Sequence, residues 1–546
     1  MVDLTISLPA EVLTNSANPS FVESRRKEIN GLLERGTFKI INESDVPEGV
    51  RIFNSRFVDE IKNPGTDQAF EKSRLVVQAY NDTKKNLILT QSPTIQRASQ
   101  RLLLSIATML RDNNINLYLR DITQAYVQST TNLERDFFVR PPQELGLHRS
   151  QILKIVKPLY GVPEAGNHWF NTYHRHHIER LGMEQSTYDP CLLTTTVDGG
   201  PFGLVGLQTD DTLTLADDIF AQMEEDELQK AKFTAKPRQQ LTHRNPIKFN
   251  GGVITLTDSN NIELTQTRQC KNIRIANPSK PTDIESSRGM IRKGVDPKGQ
   301  YIAMRAKGAY IASICQPEAS FDLSYAAQVT DPQDEDIKYL NRRLQWQRDN
   351  DSRGLTFIPL DPNSMQLAAF TDSSFANNRD LSSQIGFVIV LAEKNGKQGL
   401  HKANIVHWSS IKCKRITRSV LASELYAMAN GFDIAAAIKS TTEKILRKPI
   451  PLTLCTDSKS LYECLVKLGT TREKRLMIDL MCLRQAYERR EIAEVKWINS
   501  DSNPADAMTK GKPCQALKGL IDTNMVKLEA AEWVEREDKG TAIPRG

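Results

Sequence analysis

The first strong pattern of hydrophobic and polar positions is helical and lies near the N-terminus. After about 20 polar residues, the stretch FVESRRKEINGLLERGTFKII places Leu32 and Leu33 on one helical face with Ile29, and it then continues as an apolar strand. A strand, a turn and a second strand follow over residues 51–81, and a further helix is predicted at about 99–111. The N-terminal half therefore mixes helices with strands.

The next strand, INLYLRDI, alternates in character and ends in an acid. Ile115, Leu117 and Leu119 fall on one face, and Asp121 continues the same face. A buried face does not accept an unpaired charge, so Asp121 needs either a partner or a bound cation. The alternative interpretation is that Asp121 simply caps the segment that follows.

A second acidic position separates two short apolar, β-prone runs in LVGLQTDDTLTL. Asp210 and Asp211 lie where the chain is expected to turn back on itself. Turn chemistry alone accepts two Asp residues, because Asp bonds to its own backbone and tolerates tight turns. The other interpretation is a metal site, which requires a third carboxylate from elsewhere, and Asp121 is the candidate.

A different pattern begins after a region rich in Pro, Gly and Asp. Residues 278–334 are predicted to be linkers around short helices, and DEDIKYLNRRLQWQRDNDSRG to be a helix closed by Gly354. From residue 366 to 512, strands such as QLAAFTDSSF and QIGFVIVLA alternate with helices such as SVLASELYAMANGFDIAAAI. The segment after Pro513 is charged and is expected to be peripheral.

Four acidic residues of this second region lie at the ends of predicted strands or within predicted helices. Asp372 and Asp457 end predicted strands. Glu424 lies inside a helix, and Asp506 follows an Asn-Pro pair at a helix start. Taken singly, such residues are typical helix caps, favourable charges at a helix N-terminus or solvated helix positions. As a set, they can converge on one edge of a sheet and hold two Mg²⁺ ions about 4 Å apart, which activates water for phosphodiester cleavage.

Composition narrows the class of protein. A chain of 546 residues is too long for one hydrophobic core and predicts about three or four domains. With 72 Lys and Arg against 66 Asp and Glu, the net charge is +6, which is compatible with a polyanionic partner. Eight cysteines without a CxxC pair argue against a disulfide framework or a cysteine zinc site and favour a reducing, intracellular setting. No signal peptide or membrane span is predicted.

Several motifs together resemble one known family. Residues 365–512 are similar to the ribonuclease H domain of copia-type LTR retrotransposons through FTDSSFANNRDLSSQIGF, SELYAMANG, CTDSKSL and NPADAMTKG. Residues 21–273 resemble the reverse transcriptase of these elements through KSRLVVQAY, QSPTIQRASQRLLLSIA, LRDITQAYVQS, FVRPPQE, KIVKPLYGVPEAGNHWF, YDPCLL, LVGLQTDDTL and KFNGGVI. Motifs in family order followed by a matching nuclease indicate the reverse transcriptase plus ribonuclease H region of a copia-type Pol polyprotein.

The resemblance implies a fold and a domain order. It predicts an α+β and α/β multidomain protein, in which a right-hand polymerase of fingers, palm and thumb precedes a ribonuclease H-like mixed-sheet domain. The implied segments are a leader (1–20), reverse transcriptase fingers and palm (21–273), thumb or connection (274–364), a ribonuclease H-like domain (365–512) and a charged tail (513–546).

The resemblance also implies roles for particular residues. Asp121 and Asp210 would be the principal Mg²⁺ ligands of the polymerase, with Asp211 as a supporting acid. The implied nucleotide-binding residues are Lys72, Arg74, Tyr126 and Glu164, the implied primer grip is Phe249, Asn250 and Gly251, and the implied metal-binding and catalytic set of the nuclease is Asp372, Glu424, Asp457 and Asp506. Arginine suits a triphosphate through its planar fork.

Three departures from the family pattern stand out. The hairpin reads Gln-Thr-Asp-Asp where the commonest family form is Tyr-Val-Asp-Asp, and Glu164 stands where relatives often carry Gln. The histidine of cellular ribonucleases H has no counterpart near WINSDSNPAD, which leaves the proton shuttle of the nuclease unassigned.

The implied function is an RNA-directed DNA polymerase, a nucleotidyltransferase, with a coupled ribonuclease H. Its implied cofactor is Mg²⁺, with Mn²⁺ as the alternative, and its implied partners are an RNA template, a DNA primer, the RNA–DNA hybrid and dNTPs. Association with itself or with other retroelement proteins is expected, no membrane partner is, and the location would be cytoplasmic particles or the nucleus rather than outside the cell. Two rivals stay open: a catalytically silent remnant or domesticated nucleic-acid-binding protein, and a ribonuclease H with an inert N-terminal platform.

Overall fold

The computed structural model describes residues 21–62, 67, 69–285, 291–394, 399–467, 471 and 473–531. The expected leader (1–20) and the end of the expected tail (532–546) lie outside the described residues. The chain divides into two compact units, one formed by Met1–Ile95 and Tyr118–Gln239 and the other by Gln96–Leu117 and Gln240–Gly546.

The described α-helices follow one another along both units. They are α1 (Val22–Glu34), α2 (Arg97–Leu110), α3 (Ala165–Leu181), α4 (Asp218–Lys230), α5 (Thr267–Lys271), α6 (Pro297–Ile314), α7 (Ser320–Ala326), α8 (Asp334–Asp349), α9 (Val420–Leu446), α10 (Lys459–Val466), α11 (Met477–Glu488) and α12 (Gln515–Thr523). None of these helices of the described part of the chain is both long and apolar enough to cross a bilayer.

The strands alternate with the helices in both units. They are β1 (Phe38–Asn42), β2 (Ile52–Lys62), β3 (Phe70–Val77), β4 (Asn116–Asp121), β5 (Phe137–Arg140), β6 (Gln151–Ile155), β7 (Met183–Gln185), β8 (Leu192–Thr195), β9 (Gly203–Gln208), β10 (Asp211–Ala216), β11 (Gln239–Gln240), β12 (Ile247–Phe249), β13 (Gly252–Leu256), β14 (Ile262–Thr265), β15 (Thr282–Glu285), β16 (Ile291–Val295), β17 (Leu355–Phe357), β18 (Met365–Ser374), β19 (Gln384–Glu393), β20 (Leu400–Lys412), β21 (Leu452–Thr456), β22 (Glu494–Trp497) and β23 (Met525–Lys527).

The first unit contains a five-stranded sheet with the order β1–β6–β5–β2–β3. Strands β2 and β5 are parallel, and the other neighbours are antiparallel. The core on this sheet is apolar, and Phe53 of β2 stacks on Phe137 of β5 with 4.5 Å between the ring centroids. Strand β3, which carries Lys72 and Arg74, is the edge of this sheet.

A second sheet of this unit carries the acidic hairpin. Strands β4, β10, β9, β8 and β7 are neighbours in that order, and β9 and β10 are antiparallel. Leu204 and Leu213 are fully buried. Helix α4 packs closely on β9, because a Cβ added to Gly203 would lie 2.6 Å from the Phe220 ring. The hairpin predicted for LVGLQTDDTLTL is therefore confirmed, and its strands are anchored by burial.

Strand β4 departs from the alternation that the sequence predicts. Tyr118 and Arg120 on the expected polar face are buried, whereas Leu119 is only half-buried. The Arg120 guanidinium is accommodated because it forms ion pairs with Glu224 and Glu225, both at 2.7 Å. The prediction that only one face of β4 is buried was wrong. Arg120 lies on the face that was expected to meet solvent, and it meets the carboxylates of α4 there instead.

The second unit is built around a six-stranded mixed sheet with the order β22–β21–β18–β19–β20–β23. Strands β18, β19 and β20 are antiparallel neighbours, whereas β21 and β22 continue the sheet in parallel with β18. Nine of the ten residues of β18 are buried, as expected for a central strand that is covered on both faces. Helix α9 packs on β18, where a Cβ on Gly431 would lie 2.9 Å from Cγ2 of Thr371.

Smaller elements complete the second unit. Strands β12, β13, β14 and β17 form a four-stranded sheet, and α6, α7 and α8 share an apolar core. Helix α2 is tied to β20 through the buried Arg101. Its Nε donates to the carbonyl oxygen of Val406 at 2.7 Å, and its guanidinium lies 3.9 Å from the centroid of the Trp408 ring.

Two expectations for the region before residue 366 were wrong. Residues 278–334 contain a β-hairpin, β15–β16, and the 18-residue helix α6 rather than linkers around short helices. Helix α8 ends at Asp349, before Gly354. Gly354 is required for another reason, since a Cβ there would lie 2.2 Å from the carbonyl oxygen of Leu264, where the chain passes close to β14.

The expectation of a peripheral segment after Pro513 also needs correction. Leu517 and Leu520 of α12 are buried, and β23 pairs with β20 at the edge of the six-stranded sheet. Leu517, Leu520 and Ile521 follow helical spacing, so one apolar face of α12 is buried in this charged stretch. The domain boundaries as a whole stay a prediction.

We expect Gly386→Ala to destabilise the second unit by about 1–3 kcal/mol, the usual cost of overpacking. Gly386 pairs with Asp372, and an added Cβ would lie 2.3 Å from Cβ of Met508 and 3.0 Å from Cγ2 of Thr509. The measurement is the midpoint of urea unfolding. Gly519→Ala in α12 is the control, because a Cβ there meets no atom within 4 Å and should stabilise the helix by up to about 1 kcal/mol. Equal midpoints for the two variants would contradict this packing.

Candidate metal centres

The acidic hairpin of the first unit has a two-residue turn. The pairing of Gln208 with Asp211 leaves Thr209 and Asp210 as the turn residues. Thr209 has a φ of 54°, a left-handed conformation that is uncommon for a β-branched residue. Trp169 of α3 holds this turn, because its Nε1 donates to the carbonyl oxygen of Thr209 at 2.6 Å. The turn therefore directs Asp210 into solvent at the end of the sheet.

The strand neighbouring the hairpin supplies the third acid. The backbone N–H of Ile122 donates to the carbonyl oxygen of Asp210 at 2.8 Å, so the end of β4 and the turn are side by side. The carbonyl oxygen of Asp121 accepts from the backbone N–H of Lys236, also at 2.8 Å. The structure thus brings Asp121, Asp210 and Asp211 together at one sheet edge, as the sequence predicts.

The electrostatics of this edge are those of crowded carboxylates. Burial, followed by the charges of Asp210 and Asp121, raises the pKa of Asp211 to about 7. The pKa of Asp210 is also raised, mainly by desolvation and further by Asp121. Asp210 is nevertheless exposed to solvent as a residue. Lys236, which sequence reasoning missed, forms an ion pair with Asp121 through Nζ.

Two basic residues of β3 lie near these acids. Lys72 and Arg74 alternate with the buried Ser73 and Leu75, so they share the opposite face of the strand. Burial and the charge of Arg74 lower the pKa of Lys72, whereas Asp121 raises it. The Nε atom of Arg74 is buried and has no hydrogen-bond partner among the described residues. Such a donor is available for an anionic ligand.

Tyrosines cover the space beside Arg74. Its guanidinium carbon lies 5.6 Å from the centroid of Tyr160, and the Tyr160 ring lies 5.1 Å from that of Tyr126. Gly161 permits the approach of this loop to β3, because an added Cβ would lie 2.0 Å from the carbonyl oxygen of Val77. Tyr126 therefore lies in a cluster with the predicted phosphate-binding residue. Tyr160 lies within the motif KIVKPLYGVPEAGNHWF, but the motif by itself assigned it no role.

The structure gives Glu164 a partner other than a nucleotide. Its two carboxylate oxygens accept from Nε and Nη2 of Arg135 at 2.6 and 2.8 Å, and Arg135 also pairs with Asp82 at 2.7 Å. Glu164 is buried at the residue before α3. Its contact with nucleotide stays a prediction, and the observed contact of the Glu164 carboxylate is the ion pair with Arg135.

The predicted primer grip is a tight hairpin of the second unit. Phe249 is buried at the end of β12, and Asn250 and Gly251 turn with φ values of 49° and 79°. Arg97 donates to the carbonyl oxygen of Asn250 at 3.1 Å. The hydroxyl of Tyr310 would lie 1.9 Å from a Cβ on Gly251, so any larger residue would require the Tyr310 side chain to move. The tip of this hairpin is therefore held by Arg97 and Tyr310, both of which donate to the carbonyl oxygen of Asn250.

The four acids of the second unit come from the elements that the sequence predicts. Asp372 lies on β18 and Asp457 follows β21, its parallel neighbour. Glu424 lies in the first turns of α9, and Asp506 lies in the 3₁₀-helix Pro504–Met508. This 3₁₀-helix is held against β18 by Asn503, whose Nδ2 donates to the carbonyl oxygen of Thr371 at 3.1 Å.

Three of these acids form a close cluster. One ligand oxygen from each of Asp372, Glu424 and Asp457 lies within 4.8 Å of the others. Among the described residues, this is the only group of three metal-ligating side chains so close together. The acids of the first unit are therefore less tightly gathered, and Asp121 there is held by Lys236.

The buried end of this cluster has unused binding capacity. Ser373 donates to Oε1 of Glu424 at 2.8 Å, whereas Oε2 of Glu424 is buried and has no hydrogen-bond partner among the described residues. Burial and the neighbouring acids, chiefly Asp372, raise the pKa of Glu424 well above its ordinary value. Burial and the charge of Asp506 raise that of Asp372. A buried, unsatisfied carboxylate oxygen among like charges fits a bound divalent cation.

The fourth acid is joined to the cluster by a lysine that the sequence did not reveal as a site residue. Oδ1 of Asp506 lies 2.9 Å from Nζ of Lys510, and Oδ2 of Asp372 lies 3.5 Å from the same nitrogen. Thr509 donates to Oδ2 of Asp372. The spacing of four between Asp506 and Lys510 could have suggested a local pair. The contact with Asp372 could not be read from the sequence.

Comparison with known proteins defines the class. Residues 37–276 match the family model described as reverse transcriptase (RNA-dependent DNA polymerase). The Ty1-DR5 and Ty1-ML1 Gag-Pol polyproteins of Saccharomyces cerevisiae are each 23% identical over 539 residues, covering 92% of this chain and 29% of the relative. The chain thus spans less than a third of the length of these curated relatives.

Two of the solved structures that are similar to this chain cover different shares of it. A foamy viral protease-reverse transcriptase in complex with double-stranded DNA has a TM-score of 0.49 at 12% identity, covering 86% of this chain and 69% of that one. Ribonuclease H1 from Halobacterium salinarum has a TM-score of 0.20 at 17% identity, and the match covers 28% of this chain and 98% of that one.

The family match makes residues 37–276 a segment of the reverse transcriptase class. Over 92% of its length, the chain is similar to the copia-type Gag-Pol polyproteins of the Ty1 transposons. The resemblance read from the sequence motifs is therefore confirmed. So is the predicted fold class, since a mixed-sheet domain with strands β18–β22 follows the reverse transcriptase segment.

We expect Glu424→Gln to stabilise the metal-free protein near pH 8 by about 1 kcal/mol. The raised pKa means that the folded state retains a proton that the unfolded state releases, so the wild type loses stability as the pH rises above the usual carboxyl pKa. Gln carries no charge, so its advantage should shrink towards pH 4. The measurement is the melting temperature in a chelator at both pH values.

Asp258→Asn is the matched control, because Asp258 is exposed in the turn between β13 and β14. It should leave the melting temperature unchanged at either pH. A lower melting temperature for Glu424→Gln at pH 8 would show that the carboxylate is not destabilising, against the crowding described above.

Proposed function

We propose that this chain is an RNA-directed DNA polymerase with a coupled ribonuclease H activity, which copies retrotransposon RNA into DNA. The observation that carries the proposal is the presence of one acidic cluster at a sheet edge in each unit, the first within the reverse transcriptase segment. Because the chain spans 29% of its curated relatives, the activity of the complete protein is part of the proposal.

In the polymerase, we assign Asp121 and Asp210 as the metal ligands and Asp211 as a supporting acid. The primer 3′-oxygen attacks the α-phosphorus of a dNTP, and pyrophosphate leaves. Lys72 and Arg74 bind the triphosphate, which is supported by their shared face and by the unused Nε of Arg74. Tyr126 and the adjacent Tyr160 form the wall against which the sugar is placed.

In the nuclease, we assign Asp372, Glu424, Asp457 and Asp506 to the metal-binding set that directs water at the phosphodiester of the RNA strand. Mg²⁺ is the proposed ion at both sites and Mn²⁺ the alternative, since hard oxygen ligands suit both. Bound there, the ion would lower the pKa of the attacking hydroxyl or water and offset charge on the phosphate.

The remaining assignments follow from these two activities. The partners are an RNA template, a DNA primer, the RNA–DNA hybrid and dNTPs, and the hairpin Phe249–Gly251 would hold the primer. The segments 21–273, 274–364 and 365–512 would serve as fingers and palm, thumb or connection, and nuclease. We place the reaction in cytoplasmic particles or the nucleus, where association with other retroelement proteins would occur.

The test separates the two activities on one protein. Purified chain should extend a DNA primer on poly(rA) with Mg²⁺ and should degrade the RNA of a labelled hybrid. Asp210→Asn should reduce extension at least about 100-fold while sparing hybrid cleavage, because it removes a ligand of one site only. Asp372→Asn should reduce hybrid cleavage to a similar extent while sparing primer extension.

Asp258→Asn, on the exposed turn, should leave both rates unchanged. Binding of the hybrid without turnover under either metal would overturn the proposal in favour of a silent nucleic-acid-binding protein. A different result would favour a nuclease with an inert N-terminal platform. In that case the wild type would cleave the hybrid without extending the primer, and only Asp372→Asn would lose cleavage.

We also expect Trp169→Phe to lower the extension rate about tenfold, because it removes the bond that holds the Thr209 carbonyl at the strained turn. The ring packing on Tyr173, at 4.9 Å between centroids, is retained. Because Trp169 is buried, the smaller Phe should also cost about 1–2 kcal/mol of stability, so the rate is measured well below the melting temperature. Trp408→Phe is the control, as it loses a similar bond to Ser320 far from the hairpin in sequence. An unchanged rate for Trp169→Phe would show that the turn does not need this support.

A further inference from the structure

The nuclease cluster contains a positive charge of its own. The ammonium of Lys510 lies 2.9 Å from Asp506 and 3.5 Å from Asp372, so it bridges two of the four proposed metal ligands. Its side chain is 39% exposed, whereas that of Asp372 is 3% exposed. The lysine therefore reaches the buried acids from the solvent side of the site.

The four acids divide into two unequal groups around this lysine. Asp372, Glu424 and Asp457 bring their oxygens within 4.8 Å of one another. Asp506 does not belong to that close group, and its nearest cation is Lys510. Asp372 is shared between the groups, because one of its oxygens faces Lys510 and also accepts from Thr509.

The two groups differ in what an arriving cation would meet. The trio offers Glu424 Oε2, a buried oxygen with no hydrogen-bond partner among the described residues, so a cation there gains ligands without breaking a bond. At Asp506, a cation must first displace an ammonium that already neutralises the carboxylate. A lysine with a flexible side chain that reaches in from solvent can be displaced. The cation that displaces it binds more weakly, because the ion pair between the lysine and the carboxylate must first be broken.

We propose that the two cation positions of this nuclease are unequal, because Lys510 occupies the one between Asp372 and Asp506 and a divalent ion binds there only by displacing it. The position on Asp372, Glu424 and Asp457 fills first. The inference rests on the proposed use of divalent metal by the nuclease. It adds that the chain itself sets the metal concentration at which the second position fills.

The test counts bound Mn²⁺ by isothermal titration calorimetry, with Mn²⁺ alone as the probe. The full chain carries Asp121→Asn and Asp210→Asn throughout, so that ions at the polymerase site do not contribute. The starting protein should bind one ion tightly and a second weakly. Lys510→Met should raise the affinity of the second position about tenfold and leave the first within about twofold.

Three further variants secure the interpretation. Lys510→Arg retains the charge and should keep the second position weak. Lys510→Gln is a second neutral variant in case the Met variant folds poorly. Lys518→Met removes a lysine that pairs with Asp522 at the same spacing of four, at 2.6 Å, and it should change neither affinity.

The outcomes distinguish this inference from the proposed function. Two equal affinities in the starting protein, or a second affinity that Lys510→Met and Lys510→Gln leave unchanged, would overturn the role of Lys510 while the metal site stands. Absence of any bound Mn²⁺ in every variant would overturn both. In a chelator, Lys510→Met should also melt at a lower temperature than Lys518→Met, because it leaves Asp372 and Asp506 without a counter-charge.

Discussion

Both candidate sites depend on one constraint, which is that hydrogen-bonded strand pairing holds negatively charged carboxylates side by side. Asp372 cannot move away from Asp457, because β18 and β21 are paired in parallel through residues of which nearly all are buried. The hairpin of β9 and β10 confines Asp210 and Asp211 in the same way. The raised pKa values of Asp211 and Glu424 express the cost of this confinement. The acids of the two proposed metal sites are thereby held together by the fold itself, at the expense of folding stability.

Lysines moderate this repulsion in both units. Lys236 pairs with Asp121, and Lys510 pairs with Asp506 and Asp372. In each case the lysine side chain is more exposed than that of its partner acid, so it offsets the repulsion between the acids from the solvent side. The same arrangement occurs in two different sheets because crowded carboxylates are stabilised by a nearby counter-charge.

Much of the site could be predicted from the sequence, for local reasons. An acid at the end of an apolar strand, as with Asp121 or Asp457, stands out because burial makes an unpaired charge costly. The Asp pair of the hairpin stands out because it lies between two strand-forming runs. Prediction was poorer where packing between distant segments decides the structure, as with the buried Arg120 or the docked strand β23. Glu164 shows the limit most clearly, since its partner Arg135 is recognisable only when both are in place.

The sequence by itself determined the local elements and the positions of the acids on them, because strand alternation, helix periodicity and turn chemistry act over a few residues. The resemblance of its motifs also indicated the family. Only the tertiary structure decided which charges face each other. Lys236 meets Asp121 across 115 positions and Thr509 meets Asp372 across 137. The physical reason is that a charge interacts with whatever the fold places within a few ångströms of it, and the order of strands in a sheet is not the order of residues in the chain.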